Sequence, residues 1–532
     1  MKLCMILLQL LLGGDFTPQM LVLTGASEIE ELSEETLERF ESLHAHPVSI
    51  NAVPRSRLLG CGLFSAYQTA SLLDYRERTG EIRSLTELAL VDGFNPDLVQ
   101  ALAPFISLDA VGAPGAPPPR KWYQSLALRG GARFQTDQPP AWSGKGNWHG
   151  EWNEKAELSV STAGSWSAAW HGRRLDLIAG DYNARFGQGL ALWSGFSLSG
   201  FSSSGSFARN PTGVRASAAF SRANRFRGAA ARYETHHWAG SAFWSETGLL
   251  GLNSALTLKM LSASLTAAHE GAWNVLAADA KYCLRGVTLS GEVAWEIGTS
   301  QPAALAALQW SPAYGSSLSL LGRYYPACYS GRYAAAPRSQ TKSSDEAGVS
   351  AGAKIGWAEV TGDAAWHPSK GTRHFKVVAK AAPEIPLPQG WTLASVLRWN
   401  WRIRPEEKYP HRQDLRLDLN AHKGGWTLNV RGNLVWCRSP AFLAYAEAGY
   451  KDTRRAVWLR ASLFRVDHWE DRVYVYERDA PGEFNVPACY GRGYMLSLYA
   501  TWRPWYLRIA ATHYPGSEKP DRIEIKLALV WR

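Results

Sequence analysis

The last eleven residues of the chain, 522–532, read R-I-E-I-K-L-A-L-V-W-R, and they decide the fold. Successive side chains of a β-strand point to opposite faces, so residues two apart share a face. On that spacing one face is apolar and the other is charged: Ile523, Ile525, Leu527, Leu529 and Trp531 against Arg522, Glu524, Lys526 and Arg532. A strand of a soluble sandwich would show the same alternation. Because the pattern recurs from about Lys121 to the end, it predicts a closed transmembrane β-barrel.

Further alternating segments include residues 287–297, 414–420 and 426–436. In water, a sheet with one apolar face must be covered by another layer. In lipid, it must instead close on itself so that no backbone edge stays unpaired. About 410 residues, at roughly 10 per spanning strand plus connections, predict a large antiparallel barrel of about 14 to 18 strands.

Aromatic residues near the strand ends suit the interfacial girdles of such a barrel. The candidates are Trp295, Trp310, Trp399, Trp401, Trp458 and Tyr506. Three segments interrupt the alternation. Residues 185–211 are dense in Gly and Ser and are expected to form a strand end and a long loop, either folded into the lumen as a plug or exposed outside. Residues 337–346 and 383–390 are expected to be further long loops.

Composition divides the chain near residue 120. All 24 tryptophans and 19 of the 21 tyrosines follow this point. Residues 1–120 hold 8 Lys and Arg against 15 Asp and Glu, a net charge of −7, whereas the remainder has a net charge of +17. The positive charges are spread singly or in pairs along the strands. This distribution favours lumen and loop charges facing anionic lipid or polysaccharide over a nucleic-acid surface.

Residues 1–26 are predicted to be a secretory signal peptide, with cleavage after Ala26. Lys2 precedes an apolar stretch of about ten residues, which is too short to span a membrane as a helix. Residues 27–45 are predicted to form an acidic leader helix with a narrow apolar stripe. Residues 46–108 are predicted to form a helical domain, 109–120 a Pro/Gly linker and 121–532 the barrel. The stripe consists of Ile29, Leu32, Leu37 and Phe40.

Helical spacing and capping residues predict four short helices within residues 46–108. Asn51 is expected to cap the first helix and Ser84 the third. The turn Gly60-Cys61-Gly62 ends the first helix, and Gly93 lies in the turn before the fourth. The segment therefore predicts two helix–turn–helix hairpins, each with glycine in its turn.

This segment resembles a tandem helix-hairpin-helix module. The resemblance rests on I-N-A (residues 50–52), on D-Y-R-E-R-T-G-E-I-R-S-L-T-E-L (residues 74–88) and on D-G-F (residues 92–94). The order of signal peptide, hairpin module, linker and barrel is similar to that of a family of Gram-negative outer-membrane proteins with an N-terminal helix-hairpin-helix domain. This resemblance implies an outer-membrane location with the N-terminal domain in the periplasm, and it implies no settled biochemical activity.

Three barrel segments carry the family resemblance: G-D-Y-N-A-R-F-G-Q-G-L-A-L-W-S-G-F (residues 180–196), L-G-R-Y-Y-P-A-C-Y (residues 321–329) and Y-V-Y-E-R-D (residues 474–479). The first supplies the candidate motif residues of the barrel. These are Gly180, Asp181, Tyr182, Phe186, Gly187, Gln188 and Gly189.

The hairpin turns supply the other candidate site, for a phosphate or a protein partner, with Gly60, Cys61, Gly62 and Gly93 as its residues. As the resemblance implies, such turns offer backbone N–H groups to a DNA phosphate. Residues 46–108, however, hold five arginines and no lysine against six acids, which is a poor balance for neutralising phosphates. The module is therefore predicted to dock a protein or to close the periplasmic mouth of the barrel, with DNA binding as the less favoured alternative.

No motif predicts an enzyme, a cofactor or a metal site. One G-x-S-x-G match, centred on Ser350, leads into an expected barrel strand, whereas a nucleophile elbow needs a strand-to-helix turn. His236 and His237 are expected to point to opposite faces of a strand, so they cannot share a metal. Unpaired thiols are favoured over a disulfide between two of the distant cysteines Cys283, Cys328, Cys437 and Cys489.

The sequence thus predicts an outer-membrane β-barrel protein with a periplasmic helical adaptor, in a structural, transport or protein-docking role. Its expected partners are outer-membrane lipid and a periplasmic or outer-membrane protein. Two alternatives stay open. The first is DNA binding or DNA uptake through the helix-hairpin-helix module, and the second is a role as a component of a secretion machine.

Overall fold

The computed structural model describes residues 16–26, 28–45, 47–53, 55–108, 122–153, 155–197, 200–221, 224–258, 260–284, 286–313, 315–452, 454–516 and 519–531. Within these residues, a small helical domain is followed by a large antiparallel barrel. The predicted linker at 109–120 lies outside the described residues.

Residues 16–108, here called the N-terminal domain, contain short helices and one small parallel sheet. The helices are α1 (Thr17–Thr24), α2 (Glu34–Ala45), α3 (Arg55–Gly60), α4 (Ala66–Thr79), α5 (Leu85–Leu88) and α6 (Pro96–Leu102). Strand β1 (Val48–Ser49) pairs with β2 (Ile106–Ser107). Helices α3 to α6 lie where the sequence predicts four helices. None of the described helices combines the length and the apolar character that a membrane-crossing helix needs.

Side-chain caps fix the helix starts in this domain. The hydroxyl of Ser84 accepts from the N–H of Glu87 and caps α5, as predicted. The prediction that Asn51 caps α3 is wrong. Its buried amide donates to the backbone oxygens of Ile82 and Leu108 and accepts from the N–H of Ile82. Asn51 thereby provides hydrogen-bond partners for backbone groups of Ile82 and Leu108, which would otherwise lack them.

The acidic leader is part of this domain's core. Leu32, Leu37 and Phe40 are buried in one apolar cluster with side chains of α3 to α6. Met20 of α1 is fully buried in the same cluster. Cleavage after Ala26 stays a prediction, and it would remove this helix.

The strands described after residue 120 run antiparallel in chain order and form the barrel, except β26 and β27, which form a small hairpin in one of its connections. They are β3 (Trp122–Gln135), β4 (Gln138–Trp152), β5 (Ala156–Ser161), β6 (Trp166–His171), β7 (Leu175–Arg185), β8 (Gly213–Ala216), β9 (Phe226–Glu234), β10 (Trp238–Ser245), β11 (Leu250–Thr257), β12 (Leu261–Glu270), β13 (Trp273–Leu284), β14 (Val287–Glu296), β15 (Ala303–Ala313), β16 (Ser316–Tyr325), β17 (Glu346–Ile355), β18 (Ala358–His367), β19 (Thr372–Ala381), β20 (Glu384–Pro386), β21 (Thr392–Ile403), β22 (His411–Lys423), β23 (Trp426–Trp436), β24 (Pro440–Lys451), β25 (Arg455–Val466), β26 (Val473–Tyr474), β27 (Ala488–Cys489), β28 (Gly491–Trp502), β29 (Trp505–His513) and β30 (Arg522–Trp531).

The described strands close a barrel of 24 strands around its circumference, because β8 shares β7 with β9 and β20 shares β21 with β19. The predicted fold class is confirmed, but the predicted 14 to 18 strands are too few. Connections at one end are much shorter than expected: Gly424 and Gly425 alone join β22 to β23. The expected loop at 383–390 even contributes the short strand β20.

The last strand closes the barrel. β30 pairs with β3 from Leu126 opposite Trp531 to Gln135 opposite Arg522. The predicted faces of this strand are confirmed, since Leu527 is exposed on the outer surface and Lys526 forms an ion pair in the lumen. We call the barrel end that holds Trp122 and Trp531 the proximal mouth and the opposite end the distal mouth.

Large apolar side chains cover the outer surface, as a lipid-facing wall requires. Exposed tryptophans form a belt near each mouth. Trp152, Trp238, Trp310, Trp357, Trp426, Trp502 and Trp531 lie near the proximal mouth, and Trp142, Trp166, Trp244, Trp295, Trp366 and Trp436 lie near the distal one.

Two of the predicted girdle residues face the lumen instead. Trp458 is buried beneath the guanidinium of Arg478, whose central carbon lies 3.6 Å from the ring centroid. Tyr506 shares the inner face of β29 with Arg508. Because an aromatic ring can also pack against a lumen cation, position near a strand end does not determine which face it occupies.

Candidate functional site

The N-terminal domain lies in the proximal mouth. Arg57 pairs with Glu151 at the end of β4, with 2.5 Å between Nη2 and Oε1. Arg55 pairs with Glu234 at the end of β9, with 2.9 Å between Nε and Oε1. Both contacts fix the domain to strand ends at this mouth.

The acidic leader extends from this mouth into the lumen. Glu28 lies between two arginines of the wall, Arg398 on β21 and Arg416 on β22. One carboxylate oxygen lies 2.7 Å from Nη1 of Arg398, and the other contacts Nη1 of Arg416. Glu31 adds a longer contact of 3.5 Å to Arg398. The leader thus reaches wall residues about halfway along these strands.

Glu30 makes the densest set of contacts. Its carboxylate lies 2.5 Å from Nη1 of Arg431 on β23 and 3.4 Å from Nη1 of Arg416. It also accepts from the backbone N–H of Tyr476 at 3.1 Å. Burial opposes ionisation, but Arg431 and Arg416 and these hydrogen bonds hold the pKa of Glu30 well below its usual range. Glu30 is therefore a carboxylate when the domain is docked.

We call Arg398, Arg416 and Arg431 the arginine cluster. Arg398 and Arg416 are direct cross-strand partners, an arrangement in which like charges repel. Arg416 and Arg431 share Asp418 of β22, which lies 2.5 Å from the Nε atom of each. This wall carboxylate thus serves two of the three arginines. The cluster therefore needs anions in the lumen, and the leader supplies them.

Three connections at the distal mouth also fold into the lumen. They are the first inward loop (residues 186–212), the second (residues 326–345) and the third (residues 467–490). The segment at 185–211 thus folds inward as a plug, which was one of the two expectations for it. Fully buried side chains fix it there, among them Leu190, Leu192, Phe201 and Phe207.

The predicted motif residues prepare the first inward loop. Asp181 is fully buried and accepts from Nε of Arg227 at 2.7 Å and from the N–H of Trp166 at 2.9 Å. Gly180 has φ +91°, and a Cβ there would lie 2.4 Å from the backbone oxygen of Trp166. The hydroxyl of Tyr182 donates to the oxygen of Trp244 at 2.9 Å.

The next motif residues wrap a wall carboxylate. Glu292 on β14 accepts from the N–H groups of Gln188 at 2.5 Å, Leu190 at 3.0 Å and Ala191 at 3.1 Å. Gly187, at φ +56°, leaves room for this carboxylate, because a Cβ there would lie 2.7 Å from it. The loop backbone therefore forms a cradle for the buried carboxyl group of Glu292.

The remaining motif residues support this cradle. Phe186 stacks on Phe243 with ring centroids 5.7 Å apart. The side-chain oxygen of Gln188 accepts from the N–H of Arg209 at 2.8 Å. The oxygen of Gly189 accepts from the N–H of Ala335 at 2.8 Å, which links the first inward loop to the second. The predicted motif residues of the barrel thus lie at the end of β7 and the start of the first inward loop, where they help to hold this loop in the lumen.

The second and third inward loops are held by wall charges as well. Glu296 accepts from the N–H groups of Ser330 at 2.7 Å and Gly331 at 3.1 Å. In the third loop, Asp479 pairs with Lys526 at 2.6 Å. Phe196 and Tyr476, from the first and third loops, and Phe484 of the third pack against the core of the N-terminal domain. Loops from one mouth and the domain from the other therefore meet inside the lumen.

The predicted hairpin contacts lie apart from the arginine cluster. At Gly62, which has φ +70°, a Cβ would lie 2.8 Å from Nη1 of Arg39 and 3.5 Å from Nη1 of Arg215 on β8. The N–H groups of Cys61 and Gly62 bond to backbone oxygens of α3, so they are not available to a phosphate. Burial raises the pKa of the Cys61 thiol.

Two other hairpin residues have local roles. Gly60 is the last residue of α3. Gly93 has φ +85°, its oxygen accepts from Nε2 of Gln68, and a Cβ there would lie 2.6 Å from the ring of Tyr67. Both positions shape the turns of the domain.

The other residues considered from the sequence for catalysis, metal binding or disulfide bonding have structural roles. Ser350 lies buried within strand β17 and not at a strand-to-helix turn, and it donates to Asp363 at 2.7 Å. His236 and His237 lie in a turn, not on a strand, with ring centroids 4.3 Å apart, which corrects the expectation for them. The described cysteines, Cys61 among them, are free thiols, as favoured from the sequence. Among the described residues no group of three or more His, Cys, Asp and Glu is placed to hold a metal.

The arginine cluster and its glutamates were not predicted. The opposite net charges of the two parts of the chain were the available signal. That signal shows attraction between the parts, but not which arginine meets which glutamate.

No protein-family model matches the chain, and no curated protein matches it. Solved barrel structures do. The structure of the P pilus usher (PapC) translocation pore has 11% identity and a TM-score of 0.40, over 77% of this chain and 99% of that one. Pseudomonas aeruginosa OpdL has 9% identity and a TM-score of 0.31, over 77% and 98%. A BenF-like porin from Pseudomonas fluorescens Pf-5 has 10% identity and a TM-score of 0.32, over 77% and 98%. At these values only a general likeness among barrels follows.

Proposed function

We propose that the protein is an outer-membrane barrel of the Gram-negative envelope that acts as a gated conduit, with its own N-terminal domain as the gate. The observation that carries this proposal is the pairing of Glu28 and Glu30 with the arginine cluster inside the lumen. The apolar outer wall with its two tryptophan belts supports the membrane location.

The electrostatic attraction between the N-terminal domain and the barrel wall favours a gate that can leave the lumen. The domain is acidic and the barrel is basic, so attraction between them is general as well as local. When ion pairs separate, water and counterions can take over both partners, whereas a separated apolar interface stays exposed to water. The ion pairs can therefore separate and form again, and Phe196, Tyr476 and Phe484 have to leave the apolar core of the domain when they do.

Planar-bilayer conductance of the purified full-length protein tests the gate. We expect the wild type to stay closed most of the time and the variant Glu28→Gln/Glu30→Gln/Glu31→Gln to open more often. The matched control is Glu77→Gln/Glu81→Gln, which removes charges from exposed positions of the same domain. If the leader variant folds and stays as silent as the wild type, the domain is not the gate.

Docking of a periplasmic protein is a second proposal, and it fits the side of the domain that faces away from the barrel. Leu90 is 79% exposed there, beyond α5. Affinity purification from outer membranes with wild type and Leu90→Asp tests it. A partner lost only from the variant supports docking, and identical partners from both argue against this surface.

The DNA alternative has less support, because the N–H groups of Cys61 and Gly62 are already bonded. A mobility-shift assay with the full-length protein in detergent, at several salt concentrations, tests it. A salt-sensitive shift would give the domain a second role.

A further inference from the structure

We propose that the arginine cluster is a binding site for a polycarboxylate, whose place residues 28–31 of the leader occupy when the domain is docked. This inference rests on the proposed gating, because the leader has to leave before a solute can bind there. It adds the chemical class of the ligand and the residues that recognise it.

The wall by itself is built for anions. Arg398 and Arg416 are opposite each other in register, and Arg398 and Arg431 are buried. Buried like charges at this distance are unfavourable unless an anion lies between them. When the leader leaves, the same wall needs a replacement anion.

The leader shows which anion fits. Glu28 directly precedes a single 3-10 turn at Ile29–Glu31, and its carboxylate bridges Arg398 and Arg416. Two residues further on, Glu30 bridges Arg416 and Arg431. Successive carboxylates on one chain thus occupy successive arginine pairs. A ligand with several regularly spaced carboxylates can repeat this pattern, whereas a single carboxylate fills one pair only.

The lumen wall near the arginine cluster also has hydrogen-bond donors that the leader does not use. The Nε atoms of Arg398 and Arg402, both on the lumen face of β21, are buried and have no hydrogen-bond partner among the described residues. The backbone N–H of Tyr476 already serves a carboxylate. Planar guanidinium groups bind carboxylates through two parallel hydrogen bonds, which favours carboxylates over chloride.

The test is binding of fluorescent tetraglutamate to the full-length protein in detergent, with tetraglutamine as the uncharged control peptide. We expect Glu28→Gln/Glu30→Gln/Glu31→Gln to bind tetraglutamate about tenfold more tightly than the wild type. Adding Arg398→Gln/Arg416→Gln should reverse this gain. The Glu77→Gln/Glu81→Gln protein should bind like the wild type. Heat-modifiable migration on gels shows that each barrel is folded.

A milder variant keeps the test decisive if the double arginine change does not fold. Arg416→Lys keeps the charge but cannot offer two N–H groups in a plane. In the leader-neutralised protein it should weaken tetraglutamate binding several-fold. Equal affinity with and without the arginine changes would overturn the inference, as would equal binding of tetraglutamine.

Conductance separates this inference from the gate. A leader-neutralised protein that conducts but does not bind tetraglutamate overturns the binding site and leaves the gate standing. A protein that binds tetraglutamate but does not conduct supports the site and removes the gate.

Discussion

Arg398 and Arg416 face each other across neighbouring strands of the lumen wall, and the carboxylate of Glu28 lies between them. The two residues would repel each other in an empty barrel. Docking of the N-terminal domain relieves this repulsion, so the stability of the wall and the position of the domain are coupled.

The first prediction concerns the strength of this docking. Glu30→Gln leaves Arg431 and Arg416 with a neutral partner, and we expect docking to weaken by about 1.5 to 3 kcal/mol, the value of a charged hydrogen bond. Hydrogen exchange of the α2 amides in the intact protein measures the change. Glu77→Gln is the matched control, and faster exchange in both variants alike would contradict the prediction.

The second prediction is a pH dependence. The pKa of Glu30 is lowered in the docked domain, so its contribution is fully present above the ordinary glutamate pKa of 4.5 and is lost as pH falls through the lowered value. We expect the wild-type conductance to rise as pH falls below about 4.5. The Glu30→Gln variant should respond less. The same conductance at pH 7 and at strongly acidic pH would show that Glu30 does not hold the gate.

The third prediction concerns the first inward loop. Glu292→Ala leaves the N–H groups of Gln188, Leu190 and Ala191 without their acceptor, at about 1 to 3 kcal/mol for each buried group. We expect faster hydrogen exchange at Leu190 and Ala191. Glu384→Gln, on the exposed short strand β20, should leave these amides unchanged. Unchanged exchange in Glu292→Ala would mean that the loop is held elsewhere.

The fourth prediction tests the lipid-facing wall. Leu459 on β25 is 58% exposed on the outer surface, and Leu459→Arg should destabilise the inserted barrel by about 2 to 4 kcal/mol if it lies near the membrane centre. Urea titration of the protein in vesicles, read on gels, measures this. Leu90→Arg, at an exposed position of the helical domain, is the control. Equal stability of both variants would argue against lipid at β25.

The fifth prediction concerns processing. Because Met20 is fully buried in the domain core, we expect the mature protein to keep α1 and signal cleavage to precede Thr17. Mass spectrometry of the N-terminal peptide from outer membranes decides this. A mature chain that starts at residue 27 would confirm cleavage after Ala26 and show that the domain folds without α1.

The fold could largely be predicted because period-two alternation is local. The outward face of Leu527 and the inward face of Lys526 follow from neighbouring residues alone. The number of strands was underestimated because turns such as Gly424-Gly425 are shorter than expected. Shorter turns leave more residues for additional strands. Trp458 was assigned to the wrong face. A tryptophan near a strand end can contact either lipid or a lumen arginine, and its position in the sequence does not distinguish these two environments.

The arginine cluster could not be predicted for a different reason. Glu28 and Arg398 meet only because the domain folds back into the barrel, and nothing near either residue encodes that geometry. For the first loop, the density of Gly and Ser predicted an irregular segment, and the family resemblance singled out Gly187, Gln188 and Gly189 beside Glu292. What the sequence could not indicate was the partner, because Glu292 lies on a strand that is distant in the chain.

The lumen wall is electrically two-sided. Glu292 and Glu296 on β14 hold the inward loops, whereas Arg398, Arg416 and Arg431 on β21 to β23 hold the acidic leader. Withdrawal of the domain would uncover the arginine cluster together with Glu151 and Glu234 at the proximal mouth, while Glu292 and Glu296 stay occupied by loop backbone. The passage that opens would therefore carry an excess of positive charge on the side of β21 to β23, and its ion selectivity would follow from which part of the wall the protein keeps covered.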